Sequence, residues 1–393
     1  MAHEHTPLIT QKRTARRRIR LHFAASSRDT DMRYLVGATI PDPFFYLDTG
    51  HEKIVFLNDI EIGHYRETHP NTDIEVKSIA PYHERGSKIK TAADISFFSR
   101  TALAILRSHD MDQKGEPIYV SDHFPLLLAD ELRSFGITLN VMETYMPERM
   151  LKTAEEIAHI RKGMQHTCEA FRRIEHILRL AQIVDDTLMW NNEPLTCEIL
   201  KREVSILLAG HFMSNPENMI ISCGTQASMP HHLGIGIIRP HQTIICDLFP
   251  RSDTTGYFAD MTRTYVKGTP TAKVRKMYDA VRAAQDAAFV LIKPDEDISK
   301  LDEAAIHTFA NAGFARGRQG YVHGLGHGVG LDLHEAPSVY LSVPGILVPG
   351  FVFTVEPGLY YTKHGGVRLE DVVVVTKDGY ENLTNYPREL VIP

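Results

Sequence analysis

The chain has 393 residues, of which 43% are hydrophobic and 23% are charged, and its formal net charge is −6. The length favours two domains over one, and the composition is typical of a globular protein with substantial cores. The negative charge argues against nucleic acid as the main partner, because phosphate binding needs a basic field. No run of 18 apolar residues occurs, so we expect no membrane-spanning helix and no membrane partner.

The amino-terminal segment and the cysteines both bear on cellular location. Six basic residues cluster early in the chain: Lys12, Arg13, Arg16, Arg17, Arg18 and Arg20. No apolar segment follows them, which excludes a secretory signal; a mitochondrial transit peptide is one interpretation, and a solvated helix is the one we favour. The four cysteines are Cys168, Cys197, Cys223 and Cys246. They lie in apolar segments without CxxC spacing, so we expect buried thiols in a reducing compartment and a cytoplasmic location.

The first half of the chain alternates short apolar runs with helical stretches. Residues 44–47, 54–57 and 118–120 are typical of buried strands, and residues 92–106 have the apolar spacing of a helix. This half groups no acids, histidines or cysteines at ligand spacing. We therefore predict a smaller α/β domain over residues 1–150 that serves as a scaffold or an oligomerisation domain.

The second half has the pattern of an α+β catalytic domain over residues 151–393. Thr153 and Glu156 form a capping box ahead of a long amphipathic helix. Further helices are predicted over residues 196–209 and 272–292, and another begins at Ser299, with Asp302 completing its cap. Strands are predicted over residues 219–223, 243–246, 351–355 and 367–376.

Two aspartates lie at the ends of strand-like segments. Asp247 ends the apolar run 243–246, so we expect it to emerge from a buried strand into a turn. Asp260 shares one face of an extended segment with Thr262 and Thr264, so a threonine hydroxyl can orient its carboxylate. A lone acid at a strand end is more often a turn residue, so the pair gains weight only from the candidate ligands later in the chain.

The third candidate is a histidine in a glycine-rich stretch. Residues 323–330 hold four glycines together with His323 and His327, which suits a loop whose backbone closely approaches an ion. A turn with solvated imidazoles is the alternative. His334 and Glu335 do not begin an HExxH motif, because position 338 is a serine, so a helical zinc-protease site is excluded.

Two glutamates complete the set. Glu356 ends the strand over 351–355, where Pro357 stops the ladder. Glu370 and Arg368 stand two apart on a strand over 366–375 and point the same way, and a cross-strand ion pair is the alternative explanation. Asp371, on the opposite face, is expected to be solvent-exposed or salt-bridged.

If these groups converged without metal, four carboxylates would sit within a few ångströms, and repulsion would force some of them to take up protons. Two divalent cations balance that charge and leave room for a bridging water. The donors are mostly hard oxygens, which suits Mn²⁺ best and leaves Co²⁺ and Zn²⁺ possible. The five predicted ligands are Asp247, Asp260, His327, Glu356 and Glu370.

The order of these motifs resembles the pita-bread dinuclear metallopeptidases, the family of methionine aminopeptidase, aminopeptidase P and prolidase. The motifs run Asp, Asp-x-Thr-Arg-Thr, His-x-x-Gly, His-Glu-x-Pro, Thr-Val-Glu-Pro-Gly and Arg-x-Glu-Asp, within residues 220–393. Residues 31–37 and 150–157 resemble the creatinase-type amino-terminal domain of the Xaa-Pro branch. The resemblance implies a pita-bread catalytic domain behind a creatinase-like domain, and a homodimer.

The resemblance also implies roles for individual residues. Asp260 and Glu370 would bridge both ions, and a metal-bridging hydroxide would attack the scissile carbonyl while Glu356 transfers its proton to the leaving nitrogen. His231 and His334 match the family's substrate-side histidines, and His323 matches a further histidine that lines the pocket. Arg368 is also expected among the catalytic residues. His232 is expected to be structural. The implied substrate is a peptide with proline at its second position.

Two departures from the family pattern bear on metal and substrate. Asp247 is followed by Leu248 and Phe249 where the family has x-Gly, and the segment to Asp260 is two residues longer, which a hairpin tip can absorb. The arginine that clamps a dipeptide carboxylate in similar prolidases is replaced by Ser338, and no Lys or Arg lies between His334 and Glu356. We therefore predict aminopeptidase P-like activity, with a dipeptidase, a non-peptide hydrolase or lyase, and a binding module as the alternatives.

Overall fold

The computed structural model describes residues 18–90, 94–112 and 115–393, so most of the basic amino-terminal cluster lies outside the described residues. The chain divides into two compact units, Met1–Pro147 and Glu148–Pro393. In the described residues, no helix combines the length and the apolar character needed to cross a membrane.

The first unit is built on a mixed six-stranded sheet. Its strands are β1 Ile19–Ala24, β2 Phe44–Asp48, β3 Lys53–Leu57, β4 Ile74–Ser78, β5 Ile118–Ser121 and β6 Leu139–Met142, in the order β4-β3-β2-β1-β5-β6. Its helices are α1 Thr30–Val36, α2 Asp59–Thr68, α3 Ala80–Ser87, α4 Phe97–Ser108 and α5 Leu126–Ser134. Phe45 and Leu47 belong to one hydrophobic core, and Phe44 and Tyr46 belong to another. Alternate residues of β2 are thus buried on opposite faces, as in an α/β layer.

Most predicted elements of this unit are confirmed, with one boundary error. The strands predicted over residues 44–47, 54–57 and 118–120 are β2, β3 and β5. The helix predicted from Ala92 is α4, which begins at Phe97, and residues 91–93 lie outside the described residues. Ser96 sets the start, because its hydroxyl accepts a hydrogen bond from the backbone N–H of Ser99.

The second unit combines four long helices with several small sheets among the described residues. The helices are α6 Ala154–Leu180, α7 Cys197–Ala209, α8 Ala272–Leu291 and α9 Ser299–Asn311. The first strands are β7 Gln182–Val184, β8 Thr187–Trp190, β9 Glu193–Pro194, β10 Met213–Ser214, β11 Ile220–Cys223, β12 Ile244–Leu248, β13 Arg251–Ser252 and β14 Met261–Lys267. The remaining strands are β15 Gly326–Gly328, β16 Glu335–Val339, β17 Val352–Val355, β18 Gly358–Tyr361, β19 Gly365–Arg368, β20 Asp371–Val375, β21 Tyr380–Asn382 and β22 Val391–Ile392.

Two of these sheets carry the predicted metal ligands. One has the order β11-β12-β14-β22 and the other the order β16-β15-β17-β20-β21. An isolated bridge between Thr262 and Glu370 joins β14 to the segment between β19 and β20. Glu370 is therefore brought next to β14, although the two are far apart in sequence.

The capping box ahead of α6 is confirmed. The Thr153 hydroxyl accepts from the backbone N–H of Glu156, and the Glu156 carboxylate accepts from the backbone N–H of Thr153. The cap predicted for α9 is wrong. Ser299 lies inside the helix and donates to Asp297, while Asp302 is buried and accepts a hydrogen bond of 2.6 Å from the Tyr321 hydroxyl. Asp302 therefore bonds to a distant tyrosine and does not complete a local cap.

The strand predicted over residues 366–375 is interrupted. β19 ends at Arg368 and β20 begins at Asp371, because the backbone N–H of Glu370 donates to the carbonyl oxygen of Thr262 in the other sheet. Asp371 is salt-bridged as expected: its Oδ1 lies 2.8 Å from Nη2 of Arg263, and both side chains are buried.

Candidate active site

Asp247 lies in one strand of the sheet β11-β12-β14-β22, and Asp260 lies next to another. Asp247 lies inside β12 opposite Thr262 of β14, so the turn predicted at Asp247 is wrong. Asp260 immediately precedes β14, and both carboxylates are buried. The intervening segment forms a small hairpin in which the backbone N–H of Ser252 donates to the carbonyl oxygen of Tyr257 at 3.0 Å. The longer connection is thus accommodated without separating the acids from their strands.

The second sheet supplies His327 and Glu356. His327 lies in β15, and its backbone N–H donates to the Thr354 hydroxyl at 3.0 Å. That hydroxyl donates to Oε1 of Glu356 at 3.1 Å, and Oε1 lies 3.2 Å from Nε2 of His327. A Cβ at Gly326 would lie 2.0 Å from the carbonyl oxygen of Thr354, so only glycine allows this close approach of the strands.

Glu370 is held where the two sheets meet. The Thr262 hydroxyl donates to its Oε2 at 2.6 Å, and the backbone N–H of Glu370 donates to the carbonyl oxygen of Thr262 at 3.0 Å. A threonine hydroxyl was expected to orient Asp260, but Thr262 orients Glu370 instead. Tertiary contact, rather than sharing one strand face, therefore determines which carboxylate the threonine holds.

Three of the five predicted ligands form a compact group. One potential ligand atom each from Asp260, His327 and Glu370 lies within 4.8 Å of the other two. Glu356 joins the group through its contact with His327. Asp247 is among the charges that raise the pKa of Asp260 and of Glu370, so all five predicted ligands belong to one electrostatic cluster.

Arg368 is the buried cation of this cluster. It donates from Nη2 to Oδ2 of Asp247 at 2.5 Å, from Nη1 to the Tyr360 hydroxyl at 2.6 Å and from Nε to the Thr262 hydroxyl at 3.2 Å. The ion pair suggested for Arg368 and Glu370 is thus replaced by one with Asp247. Among the described residues, Oδ1 of Asp247 is buried with no hydrogen-bond partner.

The pKa values show how the buried charges are balanced. Burial, followed by repulsion from neighbouring carboxylates, raises the pKa of both Asp260 and Glu370 well above the usual range. Burial also acts to raise the pKa of Glu356, but the hydrogen bond and the charge of His327 lower it to about 2. The protein's own cations therefore do not neutralise all four carboxylates. The unpartnered oxygen of Asp247 and the mostly hard donors of the cluster fit divalent cations.

Three histidines lie beside the cluster. The ring centroids of His334 and His327 are 4.1 Å apart, and Nε2 of His323 lies 3.0 Å from the Tyr360 hydroxyl. His231 is exposed and interacts electrostatically with both His323 and His334. His232 instead accepts a hydrogen bond at Nδ1 from a backbone N–H two residues ahead, which is a structural contact.

Sequence reasoning missed two side chains. Thr354 contacts both His327 and Glu356, and its position two residues before Glu356 on an extended strand was an available signal. Tyr360 links Arg368 to His323. Nothing in the local pattern indicates that the β18–β19 hairpin places this hydroxyl beside Arg368.

Comparison with known proteins adds independent information. The model of metallopeptidase family M24 matches residues 155–377. A probable dipeptidase PepE from Mycobacterium tuberculosis is 36% identical over 287 residues, 71% of each chain. An Xaa-Pro dipeptidase from Lactobacillus delbrueckii subsp. lactis is 31% identical over 245 residues. The match covers 62% of this chain and 62% of the dipeptidase, which is less than two thirds of the dipeptidase's length.

Solved structures agree with these matches. The prolidase from Pyrococcus horikoshii is 25% identical with a TM-score of 0.74, and the match covers 95% of each chain. The X-Pro aminopeptidase from Thermotoga maritima has a TM-score of 0.76 at 22% identity, covering 95% of this chain and 97% of that one, and shows the fold alone. The mixed helix and sheet architecture is therefore the expected pita-bread fold. With the family match covering more than half of its length, the chain belongs to metallopeptidase family M24.

Proposed function

We propose that this chain is a metal-dependent peptidase that releases the amino-terminal residue preceding a proline. The observation that carries the proposal is the convergence of Asp260, His327 and Glu370, whose ligand atoms lie within 4.8 Å of one another. Membership of a metallopeptidase family supports the reaction type, and the names of the relatives support the Xaa-Pro bond.

The proposed centre holds two divalent cations. Asp260 and Glu370 would be two of the ligands, because burial and repulsion from neighbouring carboxylates leave their charges uncompensated. The other proposed ligands are Asp247, His327 and Glu356. The oxygen-rich donor set favours Mn²⁺, with Co²⁺ or Zn²⁺ as alternatives. When bound, two such ions would lower the pKa of a water molecule and polarise the scissile carbonyl.

The surrounding side chains are proposed to move the proton and hold the substrate. Glu356, oriented by the Thr354 hydroxyl, accepts the proton of the attacking water and delivers it to the leaving nitrogen. His231 and His334 hold the substrate and stabilise the tetrahedral intermediate, and His323 lines the pocket. Separately, the contact of Arg368 with Asp247 fixes the orientation of that carboxylate.

Metal loading combined with a peptide panel tests the proposal. The full chain, stripped with a chelator, is reloaded with Mn²⁺, Co²⁺ or Zn²⁺ and assayed against Ala-Pro-Ala and Ala-Ala-Ala. We expect activity to disappear on chelation, to return with metal and to require the proline. The proposal fails if no metal restores release of the first residue. A chain that binds almost no metal and loses nothing on chelation would be a binding module.

Xaa-Pro dipeptidase activity is the second candidate, and the names of several relatives favour it. Against it stands the absence of any Lys or Arg between His334 and Glu356, which leaves that segment without a clamp for a dipeptide carboxylate. The two candidates are separated by the ratio of kcat/KM for Ala-Pro-Ala to that for Ala-Pro. A ratio well below one would select the dipeptidase.

Organisation and location are proposed on the same basis. Residues 1–150 would form a creatinase-like domain that supports a homodimer, and residues 151–393 would form the catalytic domain. The cysteines Cys168, Cys197, Cys223 and Cys246 are all buried and free, which supports a reducing, cytoplasmic location. Light scattering of the purified chain tests the dimer, and fractionation of cells tests the location.

A further inference from the structure

A second group of potential metal ligands lies outside the candidate active site. His166 and Glu169 stand three residues apart on α6 and so share one face of the helix. His211 follows α7 by two residues, in the connection to β10. One ligand atom from each of these three residues lies within 4.8 Å of the other two.

Two short contacts bring ligand atoms of the three side chains together. Nε2 of His211 lies 2.8 Å from Oε2 of Glu169, and Nδ1 of His166 lies 3.7 Å from the same oxygen. The two imidazole rings stack with centroids 4.0 Å apart and an interplanar angle of 18°. One nitrogen from α6 and one from the connection after α7 therefore lie near the same carboxylate oxygen.

This arrangement leaves one nitrogen unsatisfied. Within the part of the chain that the structure describes, Nδ1 of His166 is buried and has no hydrogen-bond partner. If it carries a proton, it lacks an acceptor within bonding distance. If it carries a lone pair, that lone pair faces the negative oxygen of Glu169. A cation between these groups removes the conflict, because it accepts electron density from all three.

We propose that His166, Glu169 and His211 form a separate single-ion site for a borderline transition metal such as Zn²⁺. Two imidazoles and one carboxylate suit Zn²⁺, and water would complete the coordination. The oxygen-rich cluster around Glu370 has a harder donor set. The bound ion would connect α6 to the segment between α7 and β10.

Counting bound metal tests this site. The untagged full chain, its His211→Ala variant and a His176→Ala control are stripped with a chelator and dialysed against Zn²⁺. His176 is exposed on the same helix, so it is a matched control. We expect the wild type and the control to hold one Zn²⁺ per chain more than His211→Ala. In Glu169→Gln, we expect the Kd of this site for Zn²⁺ to rise at least about tenfold.

Spectroscopy and a background variant make the result decisive. Cu²⁺ bound at this site should show magnetic coupling to two imidazole nitrogens by electron paramagnetic resonance, and His211→Ala should lose one of them. The signal should persist in a Glu370→Gln background, whose candidate active site is impaired. Circular dichroism identifies variants that fail to fold, in which case Glu169→Gln alone decides. Equal metal counts in wild type and folded variants, or equal loss in His176→Ala, would overturn the proposal.

Discussion

Replacing Glu370 by glutamine separates the role of its charge from the role of its shape. The Thr262 hydroxyl can still donate to the amide oxygen of the new side chain, so the local geometry should survive. The negative charge is lost. We expect opposite effects on the metal-free and the metal-loaded protein, and this contrast distinguishes a metal ligand from a structural residue.

The magnitude depends on the distance between the acids. Ligand oxygens of Asp260 and Glu370 lie within 4.8 Å of each other. Two unit charges at that separation repel by about 3.5 kcal/mol in a medium of effective dielectric constant about 20. Replacing the charged hydrogen bond from Thr262 with a neutral one costs about 1 kcal/mol, and proton uptake in the wild type relieves part of the repulsion. At a pH where both acids are ionised, the metal-free variant should therefore be more stable by about 2 kcal/mol.

Thermal unfolding in chelator and in Mn²⁺ measures both effects. In chelator at such a pH, Glu370→Gln should raise Tm by roughly 4–8 °C, since each kcal/mol corresponds to about 2–4 °C in a unit of this size. In Mn²⁺, the wild type should gain stability through binding and the variant should gain little, with turnover abolished. Glu303→Gln, on the exposed surface of α9, is the control. A variant less stable than wild type in chelator, or one that keeps the Mn²⁺ stabilisation, would refute the reasoning.

Three further substitutions test other parts of the structure. Asp253→Ala removes an exposed carboxylate near Asp247 in sequence, and the metal affinity measured by calorimetry should change by less than about twofold. A large loss of metal binding would mean that Asp247 is wrongly assigned as a ligand. Asp29→Ala removes the cap of α1 and should cost about 1–2 kcal/mol in urea unfolding at pH 7. Burial acts to raise the pKa of Asp29, but the hydrogen bond with His22 outweighs it with the help of other contacts, so that the pKa lies below its ordinary value of 3.8. The stability lost in Asp29→Ala should therefore shrink as the pH falls below 3.8. A loss of stability that does not change with pH would contradict this. Asp371→Ala leaves Arg263 buried without its carboxylate and should cost about 3–5 kcal/mol; a cost below 1 kcal/mol would show that the pair is dispensable.

Local signals predicted many of the elements correctly. The apolar runs that became β2, β3 and β5 are buried strands because each is flanked by turn residues and is too short for a helix. Thr153 and Glu156 indicate the start of α6, because their capping contacts lie within one helical turn. Such features depend on neighbours in sequence, so the sequence contains the information needed to predict them.

The order of the motifs singled out the candidate ligands, but it did not predict the contacts among the side chains of the site. Asp302 has the spacing of a helix cap, yet it bonds to Tyr321, which a local rule cannot anticipate. Likewise, nothing near Arg368 in sequence selects Asp247 rather than Glu370 as its partner. In both cases the partner is distant in sequence, and only the packed geometry selects it.

By itself, the sequence determined which residue types are available and which short segments form helices or strands, because those preferences act over a few residues. Only the tertiary structure decided that β14 meets the break between β19 and β20, which places Glu370 on Thr262. It likewise decided that His211 reaches the α6 pair His166 and Glu169. Contacts of this kind join residues more than 40 positions apart, and they form only when separate elements are packed against one another.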